Sequence, residues 1–165
     1  YYAYANEEFT KLITRPTRLF DYPDSTVQVL DADIVQMPDG RFCMTYVAQE
    51  HPGGIKVAFS DSVNSGYEYV EGFIDNEPGA CEAPNIWQRI DTDEWVLMYD
   101  VFSVNPHNFG FDKTEDFKKF EYLGHFNEGV MKTTNFTSPK HGSVIQLSKN
   151  EADRLAKHWG MADDF

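Results

Sequence analysis

Two stretches of this chain, DADIVQMPDGRFCMTY (31–46) and EAPNIWQRIDTDEWVLMY (82–99), are versions of one pattern, and that repetition constrains the fold more than any other feature. Ile34-Val35-Gln36 stands against Ile86-Trp87-Gln88, 52 residues on, and Asp39 stands against Asp91. Phe42 to Tyr46 stands against Trp95 to Tyr99, 53 residues on, after one inserted residue. A second element recurs as AYANEEFTKL from Ala3, AFSDSVNSGYEY from Ala58 and GFDKTEDFKKF from Gly110.

Each unit reads as four strands. Residues 32–37 form the first, and Pro38-Asp39-Gly40 supplies turn chemistry. The second, RFCMTYVA (41–48), is apolar on both parities and so is expected to be covered on both faces. A glycine-containing loop leads to GIKVAFS (54–60), and YEYVEGFID (67–75) closes the unit. Four strands in about 40–50 residues, covered on both faces, are the signature of a β-propeller blade. Helix has little support before residue 148. There Ser148, with Glu151 three residues later, marks the start of a short terminal helix.

The expected fold is therefore all-β: a partial β-propeller over residues 1–148, then a helix and tail over 149–165. The chain holds two complete blades, an outer strand pair in residues 1–20 and one inner strand in HGSVIQL (141–147). A propeller needs about four to eight blades. The remainder is expected from upstream blades or from a second chain, because an open half exposes strand edges.

Aligned on their shared glutamine, the three inner strands begin with ionisable residues: Asp31 before Gln36, Glu82 before Gln88 with a one-residue shift, and His141 before Gln146. In a propeller such strand heads share one face around the axis. The loops AQEHPGG (48–54) and DVFSVNPHN (100–108) return to that face, bringing His51, Asp100, Asn105 and His107 within reach.

A glutamate with an ordinary pKa of about 4.3 is too acidic to donate protons at neutral pH, and a useful general acid sits near 6–7. Desolvation by Trp87 and repulsion from Asp31 are both expected to push Glu82 that way. Carboxylate pairs in an aromatic, sugar-sized cleft are the usual apparatus for breaking glycosidic bonds. Blander readings stand beside this one. Asp31 could simply accept strand-end amides, Glu82 could be a solvated channel-edge carboxylate, and His141 could be structural.

Charge narrows the partners. Aromatic residues, 15% of the chain, suit stacking on sugars or on bases, but acidic residues outnumber basic ones 27 to 14. A net charge of −13 without a basic cluster excludes a nucleic-acid footprint. No run approaches the roughly 18 apolar residues of a membrane span, and the opening YYAYANEEF lacks a leader pattern. Cys43 and Cys81 form no metal-ligand spacing and are expected to be free, buried thiols.

LDADIVQMPDGRFCMTY, CEAPNIWQRIDTDEWVLMYD, GFDKTEDFKKFEYLG and SPKHGSVIQLSKNEADRL cover most of residues 29–155 and together resemble glycoside hydrolase family 43, whose members are five-bladed propellers. The resemblance implies an inverting glycosidase in which Glu82, in the EAP motif, is the general acid and Asp31 is the residue that tunes its pKa. It implies that His141 is the axial histidine, lying through water beside a structural Ca2+ or other cation, with no cofactor required for the chemistry. Trp87, His51, Asp100, Asn105 and His107 are the expected substrate contacts. The family's general base belongs to an earlier blade that this sequence does not contain, so the chain alone is expected to be weak or inactive. Arabinofuranosides and xylosides of plant oligosaccharides or polysaccharides are the implied substrates, with a secreted or periplasmic location. The competing reading is a non-catalytic propeller module that binds carbohydrate or protein in the same cleft.

Overall fold

A computed structural model of the chain describes residues 1–50, 53–126, 128, 130 and 137–161. Two four-stranded antiparallel meanders follow one another. The first sheet runs β1 (Val29–Gln36), β2 (Phe42–Ala48), β3 (Gly54–Ser60) and β4 (Glu68–Tyr69). The second runs β5 (Cys81–Gln88), β6 (Trp95–Val101), β7 (Asn108–Thr114) and β8 (Glu121–His125). In both sheets spatial order equals chain order, as the repeat predicts. Helix α1 spans Lys149–Trp159.

The double apolar parity of the second strands is used as expected. On β2, Cys43 and Val47 enter a core shared by the two sheets, while Met44, Tyr46 and Ala48 face an outer cluster with Tyr22. On β6, Trp95, Leu97, Tyr99 and Val101 enter the shared core, while Val96 and Met98 join Phe109, Phe111 and Phe126 outside. Fully burying a side chain of this size stabilises by about 1.5–3 kcal/mol, so each second strand anchors two layers. Gly40, at φ 88°, closes the β1–β2 turn in a conformation that favours glycine, and its amide donates to the Met37 carbonyl at 2.9 Å.

Three expected elements differ. The fourth strand of the first unit pairs only over Glu68–Tyr69. Beyond Gly72 (φ 93°) the chain leaves the ladder and crosses to the second sheet. On the way Asp75 Oδ2 accepts the Ile55 amide of β3 at 2.7 Å, and Asn76 then donates to Asp112 on β7 of the second sheet. The outer strand pair near the N-terminus reduces to two isolated bridges, Tyr2 to Thr17 and Ala5 to Leu12. HGSVIQL forms no ladder strand. It lies extended beside β5, attached by the Val144 amide to Asn85 Oδ1 at 2.8 Å and by the Gln146 side chain to the Gln88 carbonyl.

Helix α1 begins at a capping box, with Ser148 and Glu151 each bonding the other's backbone, and ends at left-handed Gly160. Only Ala156 of this helix is buried. Among the described residues no helix is long and apolar enough to cross a membrane. Both cysteines are free and buried.

Candidate active site

The strand heads are built by one local device. Asp31, Ala83 and His141 all adopt left-handed backbone, with φ of 53°, 50° and 49°, and each stands five residues before its repeat's glutamine. For non-glycine residues this conformation costs on the order of 1–2 kcal/mol, and such strain gathers at functional sites. In both sheets it coincides with a one-residue bulge. The β1–β2 register jumps from Leu30 opposite Val47 to Asp33 opposite Thr45, and β5–β6 from Glu82 opposite Asp100 to Asn85 opposite Met98. The one-residue shift seen in the sequence is thereby explained. Asp31 occupies the bulge itself, whereas Glu82 is the last ladder residue before the bulge.

A second repeated feature stitches neighbouring strand heads together. Asp33 Oδ2 accepts the Ile86 amide at 2.8 Å and Asn85 Nδ2 at 3.0 Å. One repeat later Asn85 Oδ1 accepts the Val144 amide at 2.8 Å. The residue three before one glutamine thus holds the amide two before the next. Asp31 Oδ2 adds a longer bond from the Ala83 amide at 3.3 Å, so the amide-accepting reading of Asp31 has a partner in the structure. Beside these stitches lies a shallow, open cleft of about 320 Å³ lined by Asp31, Asp33, Pro84, Asn85, His141 and Ser143, among others. Asp31 also lines a neighbouring groove of about 390 Å³ with Tyr1, Phe20, Val29 and Leu30.

Glu82 is half-buried and faces an ammonium and an imidazole. Its Oε1 lies 3.2 Å from His141 Nε2 and 3.3 Å from Lys140 Nζ. Lys140 is pushed above the usual lysine value, first by this hydrogen bond and then, against its desolvation, by the negative charges of Asp100 and Glu82. Beneath lies Asp100, fully buried, with neither carboxylate oxygen hydrogen-bonded among the described residues. Its Oδ2 is 3.7 Å from Lys140 Nζ and 3.9 Å from His141 Nε2, within ion-pair range but too long for hydrogen bonds. Burial pushes the Asp100 carboxyl above its ordinary value; Glu82 adds to the push, while Lys140, His141 and His107 oppose it.

The remaining sequence-derived residues divide. His107 is half-buried and close enough to act electrostatically on Asp100, and exposed Asn105 stands in the same β6–β7 loop, before a cis proline. Asp100 is at the expected end of the sheet, but its complete burial leaves it no exposed surface for a sugar. Trp87 packs against the outer cluster of Val96, Met98 and Phe109. His51 lies outside the described residues. Two participants stand outside the sequence-derived set: Lys140 has only its place beside His141 in SPKHG to signal it, and Asp33 is the main stitch between β1 and β5.

An axial calcium is poorly served by these side chains alone. Calcium takes about 6–8 oxygen ligands. Asp33 and Asn85 already hold amides, Asp31 Oδ2 holds another, and His141 Nε2 is turned to Glu82.

A family model described as "Probable glycosyl hydrolase domain", of the family-43-related class, matches residues 1–153. The chain belongs to this glycoside hydrolase family 43-related family. Solved structures agree on the fold of the family 43-related chain. A thermostable family-43 glycoside hydrolase superposes with a TM-score of 0.53 at 18% identity, over 86% of this chain and 50% of its own. A glycosyl hydrolase from Bacteroides ovatus superposes with a TM-score of 0.53 at 16% identity, over 63% of this chain and 33% of its own. The family 43-related chain thus spans between a third and a half of the length of these relatives. Comparison with curated proteins returns no match.

Proposed function

We propose that the chain carries the acid half of an inverting glycosidase, with Glu82 as general acid and Asp31 as its tuning partner, in a propeller completed by further blades or by a second chain. The observation that carries this reading is the position of Glu82. It is a partly exposed carboxylate on the last ladder residue before a strained bulge, one strand head away from Asp31.

In this reading Glu82 protonates the departing glycosidic oxygen while a carboxylate outside these residues activates water on the opposite sugar face, the wide spacing of an inverting site. Lys140 and His141 hold the Glu82 carboxylate in one orientation, and Asp33 and Asn85 fix the strand heads between which the sugar sits. Arabinofuranosyl or xylosyl linkages of plant polysaccharides are the proposed substrates, and an extracytoplasmic location goes with them.

One observation favours the alternative, a non-catalytic carbohydrate- or protein-binding module: Glu82 is engaged by the Lys140 ammonium and the His141 ring rather than left free to hold a proton. Assays with aryl arabinofuranosides and xylosides, on the chain and on longer forms of it, separate the two. The glycosidase reading predicts turnover with inverted product in the completed form, with little from the chain as a light-scattering monomer. Sugar binding without turnover in every form supports the module, and full activity of a clean monomer removes the argument for a missing base.

A further inference from the structure

We infer that Glu82, Asp100 and His141 form a binding site for a transition-metal dication of the zinc class, which Lys140 guards and the metal displaces. One oxygen from each carboxylate and one ring nitrogen lie within 4.8 Å of one another. Metal–ligand bonds of about 2.0–2.2 Å in a tetrahedral site place donors about 3.4 Å apart, so the cluster must tighten by roughly an ångström. Glu82 and His141, whose side chains are 28% and 53% exposed, are free enough to supply that movement.

An independent observation points to a ligand. Asp100 is completely buried, both of its oxygens lack a hydrogen-bond donor among the described residues, and Oδ2 is aimed into the cluster at 3.7 Å from Lys140 Nζ and 3.9 Å from His141 Nε2. A buried carboxylate without donors is costly, and proteins resolve that cost by pairing it or by coordinating a metal. Lys140 resolves it only in part, because its single ammonium is divided between Glu82 at 3.3 Å and Asp100 at 3.7 Å. Its side chain is 43% exposed and can swing into solvent, leaving two carboxylates and an imidazole around one point.

The donor set selects the metal class. An imidazole nitrogen with two carboxylate oxygens suits zinc and its neighbours, whereas calcium and magnesium prefer oxygen alone. The site adjoins the strand-head cleft, sharing His141 with its lining, while Glu82 and Asp100 lie outside it. Binding does not depend on the glycosidase reading. Its consequence does: a metal-held Glu82 cannot donate a proton, so in an active form the metal would inhibit.

Calorimetric titration of the chain with zinc chloride, and separately with calcium and magnesium chloride, tests the site, with circular dichroism confirming the fold of each variant. One zinc per chain is expected, preferred over calcium by at least about a hundredfold. His141→Asn, at an exposed position that packing does not constrain, should weaken zinc at least about tenfold, and Asp100→Asn should do likewise. Lys140→Met should tighten it several-fold. Absence of zinc binding, equal affinity for calcium, or zinc binding unchanged in His141→Asn overturns the site. Unchanged or weakened binding in Lys140→Met overturns the guarding role of Lys140. Because the readout is binding, the result stands apart from any outcome of the hydrolysis assays.

Discussion

Glu82 and Asp100 are direct partners across the β5–β6 ladder, one reaching the surface and the other sealed beneath it. The buried member has no hydrogen bond among the described residues, which makes it a cost to the fold carried at the site. Asp100→Asn removes the charge and keeps the shape. It should raise stability by about 1 kcal/mol, read from urea unfolding with an unchanged slope. A lower midpoint would mean that Lys140 and His141 already offset the buried charge.

Asp33 should matter more to the fold than to chemistry. Its Oδ2 holds the Ile86 amide and the Asn85 side chain, joining the two sheets at their inner strands. Hydrogen bonds to charged groups contribute about 1.5–3 kcal/mol, so Asp33→Ala should cost about 2–3 kcal/mol and Asp33→Asn less. Equal stability of Asp33→Ala and the parent would show that the sheets are held by their apolar core alone.

Stability should peak at mildly acidic pH. Burial pushes the Asp75 and Asp112 carboxyls above their ordinary values, against the hydrogen bonds from the Ile55 amide and the Tyr99 hydroxyl respectively. Groups raised in the fold contribute stability that is fully present below their unfolded pKa and is lost as pH rises through the folded one. Glu50 and Glu94 act oppositely. Tyr22 and Arg89 hold them below the usual range, so their contribution disappears as pH falls through it. Melting temperature should therefore decline from mildly acidic towards alkaline pH, and the decline should flatten in the double variant Asp75→Asn, Asp112→Asn. A melting temperature still rising above pH 7 would contradict this.

The terminal helix should respond locally. Ser148→Ala removes a reciprocal cap worth about 1 kcal/mol, and the helix buries only Ala156. Amide exchange in residues 149–159 should quicken about fivefold while the global midpoint stays within about 0.5 kcal/mol. A matching global loss would mean that the helix is part of the cooperative core.

The sequence carried the meander order, the doubly covered second strands and the helix cap because these follow from short-range pattern: apolar parity, turn residues and a Ser-to-Glu spacing. It carried Asp31 and Glu82 to the starts of β1 and β5 through the shared glutamine, whereas HGSVIQL, which the same alignment makes an inner strand, forms no ladder strand. It did not carry the early end of the fourth strand, since the crossing of residues 72–76 depends on Asp75 and Asn76 finding partners on another element. The roles of Asp33 and Lys140 were hidden for the same reason. Both act across about fifty residues of chain, on groups that no local period links. The bulge was visible only as a misalignment, and the left-handed backbone at Asp31, Ala83 and His141 gives it its physical cause.

The assignment of Glu82 is tested most directly by the leaving-group dependence of hydrolysis in a form of the protein that is active on aryl arabinofuranosides or xylosides. A general acid matters in proportion to the basicity of the departing oxygen. Glu82→Gln should therefore lower kcat/KM by about 10²–10⁴ on a poor leaving group such as an alkyl glycoside and far less on a nitrophenyl glycoside. A uniform loss across the series, or no loss on the poor leaving group, would contradict the account.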